Sequence, residues 1–332
     1  MDSARTRPAH PTRGRPGPRR LPLAVAVLAA LALVVTGCST AAPAPGNSAA
    51  PASSTPAQPS EAFPRDVDVY GKTVHLDARP TRIVILGPSL TEIVFGIGAG
   101  EQVKAVDKLS DFPADAPRSN LDAFAPSPEA VAAQKPDLVL VTNDQNKIVA
   151  GLTALKIPVA LLGAPPDVQG ALEQYRLVGQ LTGDTAAAEK LAVSVKSKIT
   201  DAEASVKQSS TKLKYYWELD PALYSVTSKT FIGSVVGGFG LANIADKAPK
   251  AASSGGYPQL SAEYIINADP DLIFAADGQT PAQVKKRAGW DVTRAVKDAA
   301  GVVVIDPSIS SRWGPRIADL ASAIATAVQK VQ

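Results

Sequence analysis

The chain has 332 residues, 45% hydrophobic and 20% charged, enough for one large or two medium folded cores. Its net charge of +3 is a local effect: residues 1–37 carry six arginines and one acid, and without them 28 basic residues face 30 acidic ones, a balance of −2. That balance leaves no excess of positive charge for nucleic acid, and a single cysteine with two histidines excludes an internal disulfide or a cysteine zinc cluster.

The arginine-rich start leads into an apolar run at 21–35. Its 15 residues fall short of the roughly 20 that span a bilayer and fit the hydrophobic part of a signal peptide. The run closes on Val35-Thr36-Gly37-Cys38, small residues before the lone cysteine, which resembles the bacterial lipobox. The expectation is a signal peptide at 1–37, removed on export, and a lipid on Cys38. Arg19-Arg20 leaves the general and twin-arginine routes both open. The rest of the chain then sits outside the cytoplasm, anchored to the outer face of the membrane. Residues 38–63 are mostly Ala, Pro and Ser; with so little apolar surface to offset ordering entropy they read as a disordered tether.

The folded part begins near residue 64. Residues 66–76 read as a hairpin turning at Tyr70-Gly71-Lys72. A buried strand is expected at 82–86. A helix follows at 90–97, with Ser89 as its cap and Glu92 placed for a capping box. Strands at 103–106, 138–142 and 159–162 alternate with helices at 127–134 and 148–155, the pattern of a parallel sheet covered on both faces. Residues 169–208 are helical in pattern, interrupted at Thr182-Gly183-Asp184. Strands at 214–219, 272–276 and 302–305 then alternate with helices at 231–239, 261–267, 281–288 and 315–330.

One segment recurs. Residues 127–142 (SPEAVAAQKPDLVLVT) align without gaps on 261–276 (SAEYIINADPDLIFAA). Each copy reads as a capped helix, a proline stop and a buried strand, so two related lobes are expected with a long helix between them. Glu129 and Glu263 fall at matching positions in the first turns of matching helices. The helix dipole alone favours an acid there. On two lobes they would also form a separated pair of carboxylates able to key onto basic residues of a partner.

Catalytic chemistry is sparse. His75 stands alone in a predicted hairpin, no Gly-x-Ser-x-Gly elbow or phosphate loop occurs, and glycines 96, 98 and 100 close a helix rather than follow a strand. A carboxylate-based cell-wall hydrolase and a structural adhesin remain as alternatives. A bare-metal receptor lacks nitrogen and sulfur ligands, and a heme receptor lacks an evident axial histidine or tyrosine.

Residues 82–103 (RIVILGPSLTEIVFGIGAGEQV), Ser110-Asp111-Phe112-Pro113, the first repeat copy, residues 216–221 (YWELDP), residues 230–233 (TFIG), Asn243-Ile244, the second repeat copy and residues 314–317 (GPRI) occur in this order. Together they resemble the helical-backbone (class III) periplasmic substrate-binding proteins of ABC importers, which carry cobalamin and ferric siderophores. The resemblance covers roughly 64–330. It implies an α/β fold of two Rossmann-like lobes with parallel sheets, an N-terminal lobe at 64–166, one long bridging helix within 167–209, and a C-terminal lobe at 210–332. It further implies a non-enzymatic monomer without a resident cofactor, a chelated-metal ligand held between the lobes, and a permease with its ATPase as partners, met through Glu129 and Glu263. At the ends of strands it points to Pro88, Ser89, Ser110, Asp111, Phe112, Asn143, Asp144 and Gln145 in the first lobe. In the second lobe it points to Trp217, Tyr224, Phe231, Arg312 and Trp313, with Trp313 foremost. The Pro-Ser-Leu-Thr-Glu and Ser-Asp-Phe-Pro runs look cobalamin-like, whereas the loop after Thr142 lacks a tryptophan that cobalamin binders can carry.

Overall fold

The computed structural model of the protein describes residues 61–207 and 212–332. The signal peptide, Cys38, the tether up to residue 60 and residues 208–209 of the bridging segment lie outside the described residues. Strands β1 (Arg65–Val69) and β2 (Lys72–Leu76) form an antiparallel hairpin. Val67, Val69, Val74 and Leu76 are buried while their neighbours face solvent, the period-two alternation of a half-buried pair. The turn is Tyr70-Gly71, both at positive φ (52° and 80°), the geometry whose twist suits a two-residue hairpin.

The first lobe follows: β3 (Ile83–Leu86), α1 (Pro88–Gly96), β4 (Val103–Val106), α2 (Pro128–Ala132), β5 (Leu138–Val141), α3 (Ile148–Ala154) and β6 (Val159–Leu161). Its sheet is parallel in the order β4-β3-β5-β6. β3 and β5 are buried along their whole length, as helices on both faces of a parallel sheet require.

The long helical segment divides into α4 (Val168–Thr182) and α5 (Thr185–Ala204). Gly183 ends α4 at φ 78°, and the Asp184 N–H closes onto the Gly179 carbonyl at 2.8 Å. Any L side chain at 183 would cost about 1–2 kcal/mol in that conformation, and its Cβ would press on the Phe63 ring. The chain turns back here. Arg176 pairs with Glu189 at 2.5 Å, and a Cβ on Gly179 would lie 2.3 Å from that of Ala188. The forty residues are therefore a helical hairpin rather than one rod, and α5, about 30 Å long, is the helix that crosses to the second lobe.

The second lobe holds β7 (Lys214–Glu218), α6 (Phe231–Gly237), β8 (Ala242–Asn243), α7 (Ala262–Ala268), β9 (Leu272–Ala275), α8 (Pro281–Lys285), α9 (Arg294–Lys297), β10 (Val302–Val304), α10 (Pro307–Ser310) and α11 (Ile317–Val331). Its sheet, β10-β9-β7-β8, is also parallel. Counted from each lobe's first strand, both sheets have the order second, first, third, fourth.

The repeat extends to individual bonds. Ser127 and Ser261 each cap their helix by accepting from the N–H three residues on. Asp137 accepts from the Thr81 and Arg82 N–H groups where β3 begins, and Asp271 accepts from the Lys214 N–H where β7 begins. Arg82 donates to the Gln134 carbonyl and Lys214 to that of Ala268, the aligned residue. Lys135 and Asp269, again aligned, both take left-handed φ (53° and 50°). A contiguous apolar core runs from β3 through α4 and α5 to β7, α6 and α11, so the lobes share one interior. Among the described residues no helix is long and apolar enough to cross a membrane.

Candidate functional site

Loops that follow strands lie at the carboxyl edge of a parallel sheet, where open α/β folds take ligands. Here the carboxyl-edge loops of the two lobes meet. The loop after β4 carries Leu109, Asp111 and Phe112, and the segment before α11 carries Arg312, Trp313, Gly314 and Arg316. Arg312 donates to the Asp111 carboxylate at 2.6 Å and to the Leu109 carbonyl at 3.2 Å. Arg316 grips Glu92 of α1 with two donors, Nη2 at 2.5 Å and Nε at 3.1 Å, and Arg312 approaches the same carboxylate at 3.5 Å. The Glu92 side chain is only 1% exposed. Arg312 lowers the Asp111 pKa by hydrogen bonding, with burial opposing it, and hydrogen bonding to Glu92 raises that of Arg316. Two carboxylates and two guanidinium groups thus balance one another across the junction.

Trp313 is fixed on three sides. Its N–H donates to Ser89 Oγ at 3.2 Å, its indole Nε1–H to Gln174 Oε1 at 2.8 Å, and its carbonyl accepts from the Tyr175 hydroxyl at 2.9 Å. Burial drives the Tyr175 pKa far upward, so that hydroxyl stays a donor. Gly314 is required by close approach: a Cβ there would lie 2.6 Å from Glu92 Oε2. The indole is half-buried and packs on the shared core, which makes Trp313 a joint between lobes more than an open platform.

The capping box at Ser89 and Glu92 does not form. Gly87 is the N-cap of α1 and Pro88 takes the first helical position, where a missing N–H costs nothing. Ser89 is therefore inside the first turn and faces Trp313, while Glu92 turns to Arg316. Ser110 is fully buried in a chain of bonds from Thr91 to Ser110 to Asp107, whose carboxylate also holds the Gly87 N–H; it braces the loop instead of facing outward. Trp217 is fully buried with its ring 5.4 Å from that of Phe274, and Phe231, 8% exposed, belongs to the core. All three side chains are buried, Trp217 because β7 is covered on both faces and Phe231 because α6 packs its first residue inward.

Asn143 and Asp144 satisfy their own loop, accepting from the Gln145 and Val149 N–H groups, while the Gln145 side chain is exposed. The aligned loop of the second lobe is closed by an ion pair: fully buried Glu218 meets Arg287, with Gln279 donating to Glu218 at 3.1 Å. Burial raises the Glu218 pKa, and the bonds to Arg287 oppose it. Phe112 and Tyr224 are 44% and 40% exposed, and sequence reasoning passed over Phe124 (69%) and Tyr257 (45%), on the loops after β4 and β8. An aromatic in a strand-following loop was the available signal for both. Beside Tyr257 a cavity of about 460 Å³ opens between the loops after β7 and β8, lined by Thr227, Ser228, Lys229, Asp246 and Gly256 among others.

Glu129 and Glu263 are exposed in the first turns of α2 and α7. A helix leading into a parallel strand runs opposite to it, so both acids lie at the carboxyl edge of their lobe's sheet. The Ser127 hydroxyl donates to Glu129 at 2.7 Å and lowers its pKa. His75, held by Asp66 and Asp77 in the hairpin, stands apart from the junction. Among the described residues no cluster of His, Cys, Asp and Glu is set to hold a metal ion.

Two parallel lobes of one strand order, linked by a crossing helix and meeting at their carboxyl edges, define the helical-backbone binding-protein fold. The chain belongs to the periplasmic binding protein family, which it matches over residues 83–308. It is similar to an ABC transporter substrate-binding lipoprotein of Bacillus subtilis, YvrC, with 28% identity over 88% of this chain and 92% of the relative. It is also 31% identical to a cobalamin-binding protein of Halobacterium salinarum, over 75% of this chain and 68% of the relative. Among solved structures, a possible iron-binding periplasmic protein of Staphylococcus epidermidis superposes with a TM-score of 0.66 at 26% identity, covering 76% of this chain and 100% of the other. The vitamin B12 binding protein BtuF of Vibrio cholerae superposes at 0.64 and 20% identity, covering 76% and 98%, a likeness of fold. The chain is a substrate-binding protein of an ABC transporter and not an enzyme.

Proposed function

We propose that the protein is an extracytoplasmic lipoprotein, anchored through Cys38, that captures an intact metal chelate of corrinoid or ferric-siderophore type between its lobes and delivers it to a membrane permease. The observation that carries this reading is the junction itself: loops at the carboxyl edges of the two lobes are joined by Arg312 to Asp111 and Arg316 to Glu92, and the strand-following loops carry the exposed rings of Phe112, Phe124, Tyr224 and Tyr257. Apolar rings with few polar fixers suit a large, flat, coordinatively satisfied ligand. Within that class a corrinoid is favoured. Arg312 and Arg316 are already matched by Asp111 and Glu92, so neither offers its charge to a polyanionic catecholate. The similarity to a cobalamin-binding protein points the same way. Glu129 and Glu263, one per lobe on that face, are the proposed contacts with basic residues of the permease.

Tryptophan emission tests the reading. Trp217 and Trp290 are fully buried and Trp313 sits at the junction, so a bound chromophore should quench Trp313. Saturable quenching by cyanocobalamin or cobinamide is expected, with weaker response to ferric catecholates, ferric hydroxamates and heme. No saturable response to any of them would overturn the assignment.

A further inference from the structure

We infer that Arg316 is a positioning residue for the ligand: it joins the lobes through Glu92 and at the same time holds the Phe112 ring in place at the rim. This rests on the binding role proposed above. The Arg316 guanidinium carbon lies 4.3 Å from the Phe112 ring centroid. Its edge donors are committed to Glu92 at 2.5 and 3.1 Å and to Ser308 Oγ at 3.3 Å. A planar cation whose edge is fixed by hydrogen bonds offers only its face, and an aromatic ring is the natural partner for that face. Phe112 receives it across the lobe boundary and remains 44% exposed, with one face on the guanidinium and surface left for a ligand. The preceding residue, Asp111, is tied to Arg312 from the same segment, so the loop after β4 is held at two successive residues by two arginines of the other lobe. Closure of the junction and presentation of the ring are therefore one geometric condition.

A purely structural clamp would lower stability and leave the contribution of Phe112 untouched, which separates the two readings. Arg316→Gln, Phe112→Ala and the double variant are titrated with cyanocobalamin and compared as a thermodynamic cycle. Each single change is expected to weaken binding about two- to fivefold, the factor a half-exposed cation–π contact carries, and the double variant to be no weaker than the weaker single. Arg316→Lys keeps the charge opposite Glu92 but not the plane; it should recover thermal stability without recovering affinity. A second readout needs no ligand. With 4-fluorophenylalanine in place of the seven phenylalanines, the Phe112 fluorine resonance, assigned through Phe112→Leu, should shift toward the solvent-exposed position in Arg316→Gln. Losses that multiply in the double variant, or a Phe112 resonance indifferent to Arg316, would overturn the inference. Absence of cyanocobalamin binding by the unmodified protein, with the resonance still moving, would instead remove the ligand assignment and leave the positioning contact standing.

Discussion

Glu92→Gln tests the lobe junction most directly. The substitution keeps the volume and one carbonyl oxygen but removes the charge and turns an amide toward Arg316. Breaking a fully buried ion pair by removing one partner costs about 3–5 kcal/mol. Here the arginines keep some water, with 17% and 13% of their side chains exposed, so we expect about 2–3 kcal/mol. For a folded part of about 270 residues, an unfolding entropy near 2.1 cal/mol/K per residue converts that into a fall in Tm of about 3.5–5 °C. Scanning calorimetry at neutral pH measures it, with Glu129→Gln as an exposed reference expected within about 0.5 kcal/mol of the unmodified protein. Because the lobes share one core, a single transition should move as a whole. A Glu92→Gln midpoint no lower than that of Glu129→Gln would show that the ion pair does not hold the lobes.

Three further outcomes follow from the same geometry. Gly314→Ala places a Cβ 2.6 Å from Glu92 Oε2, an overpacking that should cost about 1–3 kcal/mol and appear in urea unfolding; an unchanged midpoint would contradict the close approach. Asp111 has a folded pKa below its ordinary value, so its contribution to stability is complete above that value and disappears as pH falls through the lowered one. The Tm gap between the unmodified protein and Asp111→Asn should therefore be steady near neutrality and close below about pH 4, and a gap that persists in acid would refute the pairing. Replacing Glu129 and Glu263 together with alanine should leave cyanocobalamin affinity within twofold yet abolish uptake by cells, and normal uptake would remove their docking role.

The fold was legible wherever local chemistry decides structure. Alternating Val67, Val69, Val74 and Leu76 around Tyr70-Gly71 specify the hairpin, and Gly183 specifies the break in the long helical segment. The repeat at 127–142 and 261–276 is legible because its capping serines and stopping prolines act within a few residues of themselves. The two-residue β8 and the four-residue α9 and α10 were not found, since elements so short leave no periodicity. In the site, the capping-box pattern misled because a partner 224 residues away, Arg316, claims Glu92. On β7, alternation could not tell Trp217 from a rim aromatic because both faces of the strand are buried. The restraint on Trp313 comes from Gln174 and Tyr175, 139 and 138 residues distant, and no local pattern announces it.

The two halves repeat each other most faithfully far from the junction of the lobes. Asp137 and Asp271, Arg82 and Lys214, and Lys135 and Asp269 do the same work at the amino edges of both sheets. At the carboxyl edges the lobes diverge: one loop ends in Asn143, Asp144 and Gln145, and its counterpart is closed by Glu218 and Arg287. Separating the lobes by rotation would break Arg316 from Glu92, Arg312 from Asp111, and Trp313 from Ser89, Gln174 and Tyr175 together. The rim rings of Phe124, Tyr224 and Tyr257 are exposed and sit outside that set of bonds. In the proposed binding role, accommodation of a ligand would therefore cost least where the rings move and most where the lobes would have to part.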